Sequence, residues 1–246
     1  MKVLKTHELL SAWEQGLNQP LLQRVLIILA AAYPDESPES LVALSIGQRD
    51  RRLLQLRAHL FGPDLLNTSD CPQCEQKIEW QNKVLDFLEP PQKEILQGGE
   101  YHFDTKGYSL RFRLPNSLDI EATRDCESTD HAQKVLLSRC LLKVEYANEK
   151  CDLNRLPGSV IDDLNAQMEL LDPQADISLE LSCPDCAHKW YSLFDISSFL
   201  CRELNDWAER TLYTVYRLAS NYGWSEQEIL QLSPVRRQLY LGMLGE

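Results

Sequence analysis

The sequence predicts an α+β protein, mainly α-helical. The N- and C-terminal helices are expected to pack together, beside a small β module of zinc-ribbon type. Three observations predict this. Apolar residues recur at helical spacing in the first 68 residues and again from residue 197 onward. Between them the pattern changes to short alternating segments such as Lys77-Ile78-Glu79-Trp80. Two matched turns, Cys71-Pro72-Gln73-Cys74 and Cys183-Pro184-Asp185-Cys186, each lead into such a segment.

Taken in order, Pro20 opens a helix with Leu22, Val25, Leu26 and Leu29 on one stripe, and Pro34 closes it. Ser37 before Pro38 reads as an N-cap, with Gly47 ending that short helix. The next helix runs from Gln48, sets Leu53, Leu56 and Leu60 on one face, and stops at Gly62-Pro63. Tyr108 to Leu114 alternates as a strand, with Asp104-Thr105-Lys106-Gly107 as the hairpin turn before it. Pro90-Pro91 and Gly98-Gly99 mark breaks. Ser128-Thr129-Asp130 caps a helix carrying Val135, Leu136, Cys140 and Leu141. Ser159 with Asp162 resembles a capping box for a helix ending near Leu171-Asp172-Pro173. Ile177 to Leu181 and Lys189 to Phe194 read as strands flanking the second cysteine pair. From Ser198 to Tyr222, Leu200, Leu204, Trp207, Leu212, Val215 and Leu218 form a broad helical stripe that Gly223 ends. Ser225 with Glu228 caps a short helix, and Ser233-Pro234 begins a last one. The expected organisation is a helical segment 1–68, a first zinc knuckle with strands 69–126, a helical insertion 127–173, a second knuckle with strands 174–196, and helices 197–246 packing with 1–68.

The 246 residues carry 25 basic and 37 acidic side chains, a net charge of −12. Residues 71–200 hold 13 of the basic and 23 of the acidic ones, so −10 of the −12 lies in the middle. Such a segment repels phosphate backbones and anionic headgroups, which argues against nucleic-acid and membrane partners. The longest apolar run, Leu21 to Tyr33, has 13 residues including Arg24. A bilayer span needs roughly 20. Met1 to Glu8 turns polar before any apolar run, so no secretory segment is expected and the bacterial cytoplasm is the expected compartment.

In a reducing compartment, eight cysteines point to thiols and metal in place of disulfides. Two cysteines three apart on a tight turn can aim both sulfurs at one ion, and zinc takes four such ligands tetrahedrally at about 2.3 Å. Cys71, Cys74, Cys183 and Cys186 are therefore the candidate ligands of a structural Zn²⁺, with no coordination position left for catalysis. The weaker readings are a redox Cys-x-x-Cys, disulfides, four free thiols, or His188 replacing one cysteine. Cys126, Cys140, Cys151 and Cys201 lack partners at ligand spacing and read as core or incidental residues.

Catalytic machinery is not expected. His7-Glu8-Leu9-Leu10-Ser11 starts like a zincin helix but has serine where the second histidine belongs, and no phosphate-binding glycine loop or nucleophile elbow occurs. The arginines at 49, 51, 52 and 57 read as the outer face of a helix. Trp224, Arg236, Arg237 and Tyr240 have the aromatic-plus-arginine content of a partner-binding hot spot, although they could equally pack on the preceding helix.

Several strings occur together in a suggestive order. They are Leu44-Ser45-Ile46-Gly47-Gln48-Arg49-Asp50, Leu56 to Gly62, the first cysteine turn, Arg113-Leu114-Pro115-Asn116-Ser117-Leu118-Asp119, Asp172-Pro173-Gln174-Ala175-Asp176, the second cysteine turn, Tyr222-Gly223-Trp224-Ser225, and Ser233 to Leu241. In these the chain resembles the baseplate-associated family of contractile phage tails and extracellular contractile injection systems, the T-even-type baseplate hub assembly proteins or chaperones. The resemblance implies a non-enzymatic assembly factor or baseplate component, with baseplate or hub proteins as partners and no small-molecule substrate. The alternative from the residues alone is a zinc-ribbon nucleic-acid-binding adaptor, which the acidic middle disfavours.

Overall fold

Helix starts along this chain are set by short polar side chains that accept from the first free backbone N–H groups. Ser37, Ser45, Ser128, Ser225 and Ser233 each accept from the N–H three residues on, and Asn116 accepts from both Leu118 and Asp119. The computed structural model describes residues 1–88, 99–147 and 149–245. The Pro90-Pro91 break and Gly98 lie outside the described residues.

From the N-terminus the chain forms α1 (Thr6–Gly16), α2 (Leu21–Ala32), α3 (Pro38–Val42) and α4 (Ile46–Phe61). A first hairpin, β1 (Asp64–Asp70) and β2 (Lys77–Lys83), leads to the single turn α5 (Val84–Phe87). Then come β3 (Tyr101–Thr105), β4 (Tyr108–Phe112), α6 (Ser117–Glu121) and α7 (Thr129–Cys140). After them follow β5 (Leu141–Tyr146), β6 (Glu149–Lys150) and α8 (Gly158–Leu171). The second hairpin is β7 (Ser178–Ser182) and β8 (Lys189–Leu193). The chain continues through the 27-residue α9 (Ile196–Tyr222), α10 (Glu226–Gln231) and α11 (Pro234–Gly242).

The chain divides into two units, residues 1–35 with 197–246, and residues 36–196. Residues 36–68, expected with the N-terminal helices, fold with the middle of the chain. In the first unit Leu9, Leu10, Val25, Ile28, Leu29, Leu200, Leu204 and Ala208 are buried. The indole N–H of Trp13 and the guanidinium of Arg24 both donate to Asn205 Oδ1, at 2.9 and 2.7 Å, tying α1 and α2 to α9. Further along α9, Val215 and Leu218 pack with Ile229, flanked by Trp224, Tyr240, Leu241 and Leu244.

The second unit contains a four-stranded antiparallel sheet, order β3-β4-β5-β6. Leu110, Phe112 and Val144 of the sheet pack with Leu137 of α7 and Val160 and Leu164 of α8. The fully buried Asp119 carboxylate accepts from both terminal nitrogens of Arg113, from Arg139 Nε and from the backbone N–H of Asn116. Burial alone would push Asp119 up, but these donors hold its carboxyl below the usual range.

Several elements differ from the sequence expectation, and α5, α6 and β6 have no counterpart in it. Residues 64–70 form β1 because the pairing Leu65↔Asn82 to Asp70↔Lys77 buries Leu65 and Asn67, in a segment whose own strand propensity is slight. Residues 141–146, within the expected helical insertion 127–173, form β5, since Cys140 ends the helix and β4 accepts the strand with a register shift at Arg111/Phe112. α8 starts at Gly158 behind Pro157, two residues before the box expected from Ser159. Gly47 sits in the first turn of α4 and does not end α3. Its N–H donates to Asp172 Oδ2 at 2.9 Å, and a Cβ there would lie 2.1 Å from Asp172 Oδ1.

Candidate metal centre

Both cysteine turns have one backbone design. The N–H of Cys71 donates to Gln76 O and that of Glu75 to Cys71 O, at 2.9 Å each. In the second turn Cys183 donates to His188 O and Ala187 to Cys183 O, at 2.9 and 3.0 Å. Each turn passes through the left-handed region directly after its second cysteine, at Glu75 (φ 60°) and Ala187 (φ 58°). That reversal turns both sulfurs of a pair to one side and aims the returning strand, β2 or β8, back along β1 or β7.

The two turns face each other. All four Sγ atoms lie within 4.8 Å of one another. Cys71 and Cys186 are 3.6 Å apart, and Cys74 and Cys183 are 3.5 Å apart. A tetrahedron with sulfurs about 2.3 Å from its centre has edges of about 3.8 Å, so the cluster has the dimensions of a four-thiolate metal site. At the far end of the hairpins, the rings of Phe87 and Phe194 stack at 4.7 Å with 3° between planes, and Gln174 donates to Phe87 O at 2.7 Å. Sulfurs at one end and aromatic rings at the other thus join two hairpins that share no strand pairing.

Cys71 and Cys183 are buried, Cys186 is half-buried and Cys74 is exposed. Burial works against ionisation of Cys71, but the N–H groups of Cys74 and Gln73 and the neighbouring thiols bring it down to about 7. Against the N–H of Gln76, burial and the neighbouring thiols push Cys74 up to about 12, and Cys186 is raised as well, so these three sulfurs titrate as one set. His188 is not among the converging atoms, and its ring stacks on Trp190 at 5.9 Å. Cys140 and Cys201 are buried, and burial first, then the Asp119 charge, pushes the Cys140 thiol up to about 12. Such a thiol is an inert packing group.

A family comparison supplies the context. The model described as "T4 bacteriophage base plate protein" matches residues 2–201, most of the chain and all four cysteines. The chain belongs to this base plate protein family. Neither the comparison with curated proteins nor that with solved structures gave a match.

Beyond the matched residues, the C-terminal residues singled out from the sequence are largely engaged internally. Trp224 stacks on Tyr222 at 4.6 Å and meets Tyr240 edge-on at 4.9 Å. Arg237 is buried and donates to Thr6 Oγ1 at 3.2 Å, and Arg236 is exposed. One constellation follows no sequence motif. On the outer face of β3 and β4, His102 lies 2.8 Å from Ser109 Oγ and 3.7 Å from Asp104. Both partners meet the same nitrogen, Nε2, so the carboxylate does not orient the ring from its other side as a nucleophilic triad requires. Only the cross-strand register Asp104↔Ser109 could have revealed it. Glu8, from the zincin-like string, accepts from Lys5 N and Lys2 Nζ and serves the start of α1. No described helix is long and apolar enough to cross a membrane.

Proposed function

We propose that the protein is a non-enzymatic structural component or assembly factor of the baseplate of a contractile, phage-tail-like injection machine. Its second unit is pinned by one structural Zn²⁺ on Cys71, Cys74, Cys183 and Cys186, in a split zinc-ribbon arrangement. The observation that carries this is the meeting of two identically built Cys-Pro-x-Cys turns, four sulfurs within 4.8 Å, in a chain of the base plate family. Four cysteine ligands complete the shell of a zinc ion and leave no place for substrate, which makes the metal a fastener. Its partners are baseplate or hub proteins, reached through the C-terminal helices that hold Trp224, Arg236, Arg237 and Tyr240. The work of assembly takes place in the bacterial cytoplasm.

The test joins metal analysis to a deletion strain. Elemental analysis of protein purified without added metal is expected to find one zinc per chain, and deletion of the gene to leave tails without complete baseplates. Normal, contractile particles in the deletion strain would overturn the assembly role. A metal-free protein with unchanged stability would overturn the fastener.

A further inference from the structure

The first unit carries a surface with the build of a helix-docking site. On α11, Arg237, Tyr240 and Leu241 are buried or half-buried, while Val235, Leu239 and Met243 are 69, 59 and 71 % exposed. Positions 235, 239 and 243 succeed one another at intervals of four, so they form one stripe along the helix and not scattered contacts. At Gly242, on the same outer side, an added Cβ would meet nothing within 4 Å. Between this helix and α9 runs an open groove of about 440 Å³, lined by Glu209, Arg210, Tyr213, Thr214, Gln238 and Leu241. Tyr213 on its wall is itself 57 % exposed.

The charge around this apolar surface runs against that of the protein. The chain as a whole carries −12. Yet Arg210, Arg217 and Arg236 border the groove and stripe with no carboxylate partner among the described residues. Arg210 donates to the backbone oxygen of Asp206, and Arg217 to Tyr213 Oη and Gly245 O. No acidic residue occurs in α11, and Glu209 is the one carboxylate in the groove lining. An apolar stripe flanked by guanidinium groups is complementary to a helix whose apolar residues are flanked by carboxylates. An open groove between two helices, edged by an apolar stripe, is the shape into which an amphipathic helix lays its apolar face.

We infer that the outer face of α11 and its groove against α9 form the docking site for an acidic amphipathic helix of a partner protein. This rests on the proposed baseplate role for its setting but places contact on Val235, Arg236 and Leu239, outside the Trp224–Tyr240 cluster, which packs inward.

The test puts a photo-crosslinking amino acid at Leu239, and as a control at Tyr191 in the other unit, in cells assembling the complete particle. Mass spectrometry of the adduct from position 239 is expected to map to an acidic amphipathic helical segment of another protein. The double substitution Arg217→Glu with Arg236→Glu, both away from the buried core, is expected to lower the yield about tenfold or more, the scale of losing two interfacial charge pairs. An adduct with a second copy of this chain or with nucleic acid, no adduct at 239, or a yield indifferent to the arginines would each overturn the inference. Adducts to baseplate proteins from 191 alone would refute this site and leave the baseplate role standing. An acidic-helix adduct outside any baseplate protein would do the reverse.

Discussion

The two units of this chain reach stability by different routes. Residues 1–35 with 197–246 form helices that bury apolar stripes, with Leu29, Leu200, Leu204 and Leu218 fully buried or nearly so. Residues 36–196 also bury apolar stripes, with Leu53, Leu54 and Leu56 of α4 fully buried, but they mix such helices with short strands, and two of the three described sheets have only two strands. A lone hairpin in water is marginal at best. This unit therefore leans on point fasteners, the four converging sulfurs and the buried Asp119 with its two arginines. A helix that buries a stripe needs no staple, whereas a two-stranded hairpin too short for that relies on a few sulfurs and rings at its ends.

The sharpest way to break the contrast is at the sulfurs. Chelation, or Cys183→Ser, is expected to unfold the hairpins of the second unit, because metal binding to such a site is itself folding free energy, on the order of 10 kcal/mol. Circular dichroism with a thermal melt checks this, since the helical signal of the first unit should survive with its own transition. A single transition, unmoved by chelator, would show that the metal carries no such load.

Next comes Asp119→Asn, expected to cost about 3 kcal/mol by leaving Arg113 and Arg139 without their carboxylate. Its pH dependence has a definite sign. The Asp119 carboxyl lies below its ordinary value in the folded state, so its contribution is complete above the unfolded carboxylate range and is lost as pH falls through the folded value. Burial raises Asp50 and Asp172 instead, and their neighbours do not offset it, so those groups favour the folded state as pH falls. Urea midpoints followed from pH 7 to pH 3 should fall more steeply in the parent than in Asp119→Asn, where the other lowered carboxylates still contribute.

In the helical unit the matching probe is Leu204→Ala, expected to cost about 3 kcal/mol by opening a cavity. Chelator should leave that loss unchanged, as the two units' fasteners are separate. The smallest effect expected is at the turns. Ala187→Gly removes the steric penalty of a left-handed backbone at φ 58° and should stabilise the second unit by about 0.5 kcal/mol, read as a rise in its melting temperature.

The residues differ in how openly they announce these roles. The cysteine turns could be read directly, because ligand spacing within each turn is local. That the two turns face each other across more than a hundred residues was inferable only from the chemistry of a four-coordinate ion. The long α9 was legible too, since a stripe from Leu200 to Leu218 has few alternatives to a helix. β1 was not, because Asp64 to Asp70 becomes a strand only when β2 pairs with it. β5 was masked because Leu137, Cys140, Leu141 and Val144 fit a helical stripe as well as a helix followed by a strand. Gly47 was misread because what it accommodates, Asp172, lies 125 positions away. Trp224 and Tyr240 carried the composition of an interface, but composition does not say which way a ring points.

Because residues 36–196 lie between the two halves of the other unit, ribosomal synthesis imposes an order on events. α1 and α2 leave the exit tunnel some 160 residues ahead of α9, a delay of roughly 10 to 30 s at 5–20 residues per second. Throughout that interval the apolar stripe of α2, including Val25, Ile28 and Leu29, has none of its α9 partners to bury against. On the proposed metal site, the intervening unit could close only at the end of this window, as Cys186 emerges just ahead of Ile196 at the start of α9. Were the four sulfurs to hold zinc as proposed, a cell short of it would keep a nascent chain with unpaired hairpins and an uncovered greasy helix at once, and metal supply would bear on safe production as well as on final stability.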